Sequence, residues 1–128
     1  MPLFIQKNLL LCVLVLLSLD NVLGEHVIIT NKLLGHSDLV VHCKSRDDDL
    51  GVHVLRYGES TDWKFGLKIF GGTLFYCSFQ WNGGNLHWID IYKQRRDIHT
   101  CRTCNWFIVE TAACRYERNG PVCYDFNN

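Results

Sequence analysis

From residue 63 to residue 69 every second side chain is apolar: Trp63, Phe65, Leu67 and Ile69 alternate with Lys64, Gly66 and Lys68. The pattern returns over residues 73–81. There Phe75, Cys77, Phe79 and Trp81 share one parity, and Leu74, Tyr76, Ser78 and Gln80 the other. A pleated strand turns successive side chains to opposite faces, so this is the period of strands with one buried face. Leu39, Val41 and Cys43 form a shorter run of the same kind. Residues 52–57, 86–92 and 105–109 are rich in β-branched and aromatic side chains and also read as strands. Residues 27–30 open the series and residues 122–126 close it. Between them stand turn formers: Asp47-Asp48-Asp49 before Gly51, Tyr57-Gly58-Glu59-Ser60, Gly71-Gly72, Asn82-Gly83-Gly84-Asn85 and Asn119-Gly120-Pro121. No stretch keeps a helical period over three turns. Short strands at this spacing predict an all-β sandwich or barrel.

The start of the chain sets the compartment. Lys7 precedes an unbroken apolar run over residues 9–17, LLLCVLVLL, and Val22-Leu23-Gly24 offers a small-residue exit. These are the parts of a secretory signal peptide, predicted over residues 1–24. The apolar run is far shorter than the roughly 20 residues a membrane-spanning helix needs. The expectation is therefore a secreted, extracellular domain over residues 25–128, with no membrane insertion. Removing 24 of the 128 residues leaves 104, one domain's worth of chain.

Seven cysteines are present, and Cys12 falls in the leader. The other six are Cys43, Cys77, Cys101, Cys104, Cys114 and Cys123. An even count in a secreted chain predicts a disulfide framework, whose connectivity the sequence leaves open. Lys7 and Asp20 leave with the leader, so 13 basic and 13 acidic residues become 12 of each. A net charge of zero supplies no field to attract phosphate or anionic lipid. Nucleic acid and a membrane surface drop down the list of partners on that ground, so no nucleic-acid partner is expected, and neither is assembly beyond a monomer. No Asn-x-Ser/Thr sequon is present.

Several segments carry a family resemblance. VHCKSRDDDLGVHVL (residues 41–55) resembles the plant self-incompatibility S-protein homologue family. LFYCSFQW (74–81), WIDIY (88–92), CRTCNWFI (101–108) followed by Cys114, and CYDFN (123–127) are similar to family segments in the same order. The resemblance implies a small secreted plant protein, folded as a sandwich of antiparallel strands, about eight here, joined by variable hydrophilic loops. It also implies a signalling ligand recognised by a plasma-membrane receptor. The family's four cysteines correspond to Cys43, Cys77, Cys104 and Cys114, and with that correspondence comes the expected pairing Cys43–Cys114, Cys77–Cys104 and Cys101–Cys123. One departure is Thr111-Ala112-Ala113, where a glycine-containing turn is expected before Cys114.

Candidate chemistry is sparse. Asp47, Asp48 and Asp49 offer oxygen ligands for calcium, but neighbouring side chains on an extended chain point apart. A solvated turn balancing Lys44 and Arg46 is the preferred reading. Cys101-x-x-Cys104 has the spacing of a redox pair or half a zinc site, yet secretion favours disulfides. Six histidines invite comparison with a secreted ribonuclease, which needs two positioned histidines and a cation. None lies in a recognisable catalytic motif, and His87-Trp88 is the nearest approach. The expectation is a protein that is not an enzyme and needs no cofactor or metal. A ribonuclease or other hydrolase, or a carbohydrate-binding defence protein using Trp81, is the alternative. Recognition is assigned to loops on a rigid scaffold. The candidates are Asp47, Asp48 and Asp49 in one loop, and Lys93, Arg95, Arg96, Asp97 and His99 in the most basic one. Residues 115–119 are a third region of expected exposed charge.

Overall fold

The computed structural model describes residues 6–14, 24–68 and 72–127. Residues 6–14 are helical. No described helix is long and apolar enough to cross a membrane. Val22 and Leu23 of the expected cleavage site, Ile69 of the first alternating run and Gly71 of the Gly-Gly turn lie outside the described residues.

Nine strands follow among the described residues: β1 (Glu25–Asn31), β2 (Leu39–Lys44), β3 (Asp49–Leu55), β4 (Ser60–Phe65), β5 (Leu74–Gln80), β6 (His87–Lys93), β7 (Thr103–Val109), β8 (Ala112–Glu117) and β9 (Gly120–Tyr124). A helical turn, Gln94–Asp97, stands between β6 and β7. The strands form a five-stranded sheet, β4-β1-β7-β8-β9, and a four-stranded sheet, β3-β2-β5-β6. All pairs are antiparallel except β1 with β7, which is parallel, so the wholly antiparallel expectation is corrected there. A parallel pair needs a long crossover, and here the whole of the other sheet and β4 intervene between the two strands.

The period-two reading locates the core. Val27 and Ile29 of β1, with Cys104, Trp106 and Ile108 of β7, are fully buried. They meet Val41 and Cys43 of β2, Phe75, Cys77 and Phe79 of β5, and Ile89 and Ile91 of β6 in one cluster. The alternating partners Tyr76 and Gln80 are half-buried on the outer face. Trp63 and Phe65 of β4 lean on the rim of this core, and both pack against Phe75 at ring-centroid distances of 5.5 and 4.7 Å. The β3–β4 connection is closed by the Glu59 amide on the Arg56 carbonyl at 2.9 Å. Gly58, at φ 84°, takes the left-handed position that such a turn requires.

β3 is an edge strand, and side chains tie up its backbone. Leu55 O accepts from Asn31 Nδ2 at 2.9 Å and Leu50 O from His53 Nε2 at 3.0 Å, while the Gly51 amide donates to Asp49 Oδ1 at 2.9 Å. These contacts leave fewer open groups for another chain to pair with.

The strand missed by the sequence reading is β8. Residues 115–119 were expected as exposed charge, but Arg115 is buried and stands opposite Trp106 in the sheet. Trp106 faces the core, so its cross-strand partner does too.

All six cysteines of residues 25–128 are bonded, but not in the expected pairs. The bridges are Cys43–Cys77, Cys101–Cys104 and Cys114–Cys123. Cys77 and Cys104 both face the core, but from opposite sheets. Packed sheets lie about 10 Å apart, beyond the roughly 7 Å Cα limit for a bridge. Cys114 has the parity of Tyr116, opposite to that of inward-facing Ala113 and Arg115, so it cannot reach Cys43 on the far sheet's inner face. Instead Cys43 stands directly opposite Cys77, and Cys114 directly opposite Cys123, on neighbouring strands.

Candidate functional site

One end of the four-stranded sheet gathers the candidate recognition residues. β2 and β6 run parallel through β5, which is antiparallel to both. The β2–β3 turn, the start of β5 and the helical turn after β6 therefore share that end. Asp47, Asp48 and Asp49 lie there with Lys93 and Arg95, on either side of Leu74.

The acidic turn is a set of local pairs. Asp47 Oδ2 receives Lys68 Nζ at 2.7 Å, and that hydrogen bond with its charge holds the Asp47 carboxyl below its ordinary range. Asp49 Oδ1 accepts from the Gly51 amide and lies 2.7 Å from His42 Nε2, and both lower its pKa. Lys44 Nζ stands 3.9 Å from Asp49 Oδ2. The carboxylates disperse to different partners, as the alternation argument requires. Among the described residues no group of three or more His, Cys, Asp or Glu side chains is placed to hold a metal ion.

The basic segment divides into an outer and an inner half. Lys93, Arg95 and His99 are exposed. Asp97 is fully buried, which corrects its assignment as an exposed recognition residue. Its Oδ1 accepts from Arg96 Nε at 2.7 Å and from Arg115 Nη1 at 2.6 Å. Its Oδ2 accepts from the Lys93 amide at 2.8 Å and from Arg96 Nη2 at 2.9 Å. Burial alone would raise the Asp97 pKa, but these donors outweigh it and hold the carboxyl below its ordinary value. Arg115 also reaches Glu117 Oε1 at 2.6 Å, and burial, which would lower its pKa, is overcome by the two carboxylates. Both guanidiniums lie over the Trp106 and Tyr124 rings, at centroid distances between 5.0 and 5.9 Å. Arg96 is thus half-buried and committed to structure, so it too leaves the list of free recognition contacts.

This network staples the helical turn to β8 across the two sheets. The fully exposed readings of Arg96, Asp97 and Arg115 fail for one reason: each charge has its counterion in the fold. Only the recognition of β8 would have revealed it, since Arg115 shares the inward parity of Ala113.

The histidines are dispersed. His42 lies opposite Val52, and His53 opposite Val41, so the two project from opposite faces of one sheet. His26 lies on the other sheet, 2.6 Å from Asp62. His36 stacks on Tyr57, and His87 on Trp81, at 3.7 and 4.6 Å between ring centroids. Trp81 is half-buried, covered by His87 and Phe126.

A two-sheet β-sandwich, tied by three disulfides and presenting charged loops at one end, defines the class of protein. Residues 26–126 match the family model described as plant self-incompatibility protein S1, and the chain belongs to that family. It is 39% identical over 104 residues to S-protein homolog 29 of Arabidopsis thaliana, a match covering 79% of this chain and 76% of the relative. To S-protein homolog 3 of the same plant it is 41% identical over 111 residues, covering 81% and 73% respectively. A solved structure described as one of the SPH proteins, "a widespread family of small, highly stable, secreted proteins from plants", superposes with a TM-score of 0.58 at 20% identity. It covers 82% of this chain and 96% of its own. That likeness supports the fold.

Proposed function

We propose that this protein is secreted, with residues 1–24 removed, and acts as an extracellular ligand recognised by a plasma-membrane receptor. The observation that carries the reading is the family match across residues 26–126. Three disulfides and a solved relative described as secreted support the compartment. The scaffold supports the mode of action: its aromatic faces are spent on packing, and its free charges stand on anchored loops. The rival ribonuclease reading draws less support. His42 and His53 face apart, and His26, His36, His42 and His87 are each engaged by a different structural neighbour. A role in self-incompatibility is one form this signalling can take.

The test is cell binding. Labelled protein comprising residues 25–128 is applied to pollen and to other plant cells, and proximity labelling is run on the bound fraction. Saturable, competable binding with enrichment of one membrane protein is expected. Non-saturable binding on every cell type, or multiple-turnover RNA cleavage by the purified protein, overturns the reading.

A further inference from the structure

The helical turn shelters a cleft of about 640 Å³. Leu74 and Ile98 supply its aliphatic surface, Thr73 and Gln94 a wall, and Lys93 and Arg95 a cationic rim. The wall is fixed. Gln94 Oε1 accepts from the Thr73 amide at 2.8 Å, and the Gln94 amide donates to Thr73 O at 3.0 Å. The buried Asp97 anchors the other end of the turn. Leu74 is 42% exposed, an uncovered apolar side chain at the base of charged walls. A second cleft, of about 520 Å³, adjoins the first through Thr73 and Leu74 and is bordered by charges of both signs, Arg46, Lys68 and Asp48.

Charge is uneven here although the chain is neutral overall. Lys68 is neutralised by Asp47, and Lys44 lies against Asp49. The side chains of Lys93 and Arg95 make no hydrogen bond or ion pair with any described residue, whereas Arg46 acts electrostatically on Asp47. Two uncommitted cations, Lys93 and Arg95, thus border one aliphatic patch on a preformed surface. Cations of this kind attract carboxylates, and the patch between them takes an apolar side chain. An extended peptide supplies both, because alternate residues share a face about 7 Å apart. An acidic polysaccharide supplies only the carboxylates.

We propose that this cleft is the docking site for an acidic, extended segment of the partner protein, with one apolar side chain seated on Leu74 and Ile98 between carboxylates paired to Lys93 and Arg95. The proposal rests on the ligand reading above and names the chemistry of the receptor's contact.

The probe is a labelled peptide reading Gly-Glu-Ser-Leu-Ser-Glu-Gly, followed by fluorescence anisotropy against the oxidised protein. Saturable binding is expected, weakening as salt rises. The Lys93→Glu/Arg95→Glu double variant should bind at least about tenfold more weakly, as loss of charge complementarity at an interface commonly costs. Leu74→Ser, or replacing the peptide leucine by serine, should also weaken it. Absence of saturable binding, or equal affinity in the double variant, overturns the proposal. So does equal binding of the leucine-free peptide with full competition by polygalacturonate, which assigns the cleft to acidic polysaccharide. Circular dichroism and thermal melting establish that both variants are folded. The double variant is then compared with wild type in the cell-binding assay. Equal saturable binding removes the cleft from the receptor contact and leaves the ligand reading standing. Specific peptide binding without any saturable cell binding removes the receptor reading and leaves the cleft's peptide chemistry standing.

Discussion

Replacing Asp97 by asparagine tests the network that holds the helical turn against β8. Each carboxylate oxygen of Asp97 accepts two hydrogen bonds: Arg96 Nε and Arg115 Nη1 on one, the Lys93 amide and Arg96 Nη2 on the other. Asparagine has one oxygen and one NH2. Whichever way the amide turns, the NH2 confronts two donors. At least two bonds are lost, both charge-assisted because the acceptor is an ionised carboxylate, at about 1.5–3 kcal/mol each for hydrogen bonds to charged groups. The total of about 3–6 kcal/mol overlaps the cost of about 3–5 kcal/mol for breaking a buried ion pair from one side. A domain near this size loses about 4–8 °C of Tm per kcal/mol, so Asp97→Asn should melt about 20 °C below wild type. The assay is thermal unfolding of the oxidised protein at pH 7, followed by circular dichroism, with exposed Asp48→Asn as the control that should not move. The acid limb adds a sign. The native Asp97 pKa lies below its ordinary value of 3.8. Such a group contributes stability above its unfolded pKa and loses it as pH falls through the native one. Wild type should therefore lose this contribution below about pH 4, and the Tm gap to Asp97→Asn should narrow there. A Tm within 5 °C of wild type at pH 7, in a folded variant, would refute the reasoning.

Two further predictions concern the same scaffold. Cys43 and Cys77 are 34 residues apart, Cys114 and Cys123 are 9 apart, and Cys101 and Cys104 are 3 apart. Loop-closure entropy assigns them about 4, 3 and 2 kcal/mol respectively. Paired Cys→Ala variants should lose denaturant stability in that order, and a Cys101/Cys104 variant less stable than the Cys43/Cys77 one contradicts it. Arg95→Glu changes an exposed, uncommitted side chain and should shift stability within about ±0.5 kcal/mol. Arg96→Glu removes two donors from Asp97 and one from the Asp90 carbonyl, and sets a carboxylate beside a buried one. It should cost about 3 kcal/mol or more, and equal chemical denaturation midpoints for the two variants would count against the division into outer and inner charges.

The sequence by itself determined the β class, most of the strands, the parity of the core and the family. These are local properties: alternation places Phe75, Cys77 and Phe79 on one face whatever lies opposite them. It determined as well that the cysteines of residues 25–128 number six. Tertiary structure decided which of them pair. Cys43 meets Cys77 because β2 and β5 are neighbours in register, and no spacing along the chain states which strands are neighbours. It also decided which charges are free. Lys93, Arg95, Arg96 and Asp97 look alike as a polar loop, but one carboxylate turns inward to an arginine 18 residues away, on a strand whose run Ala-Ala-Cys-Arg carries no strong alternation signal. Burial of a charge depends on a counterion brought up by the fold, and that partner is invisible until both sheets have closed over it.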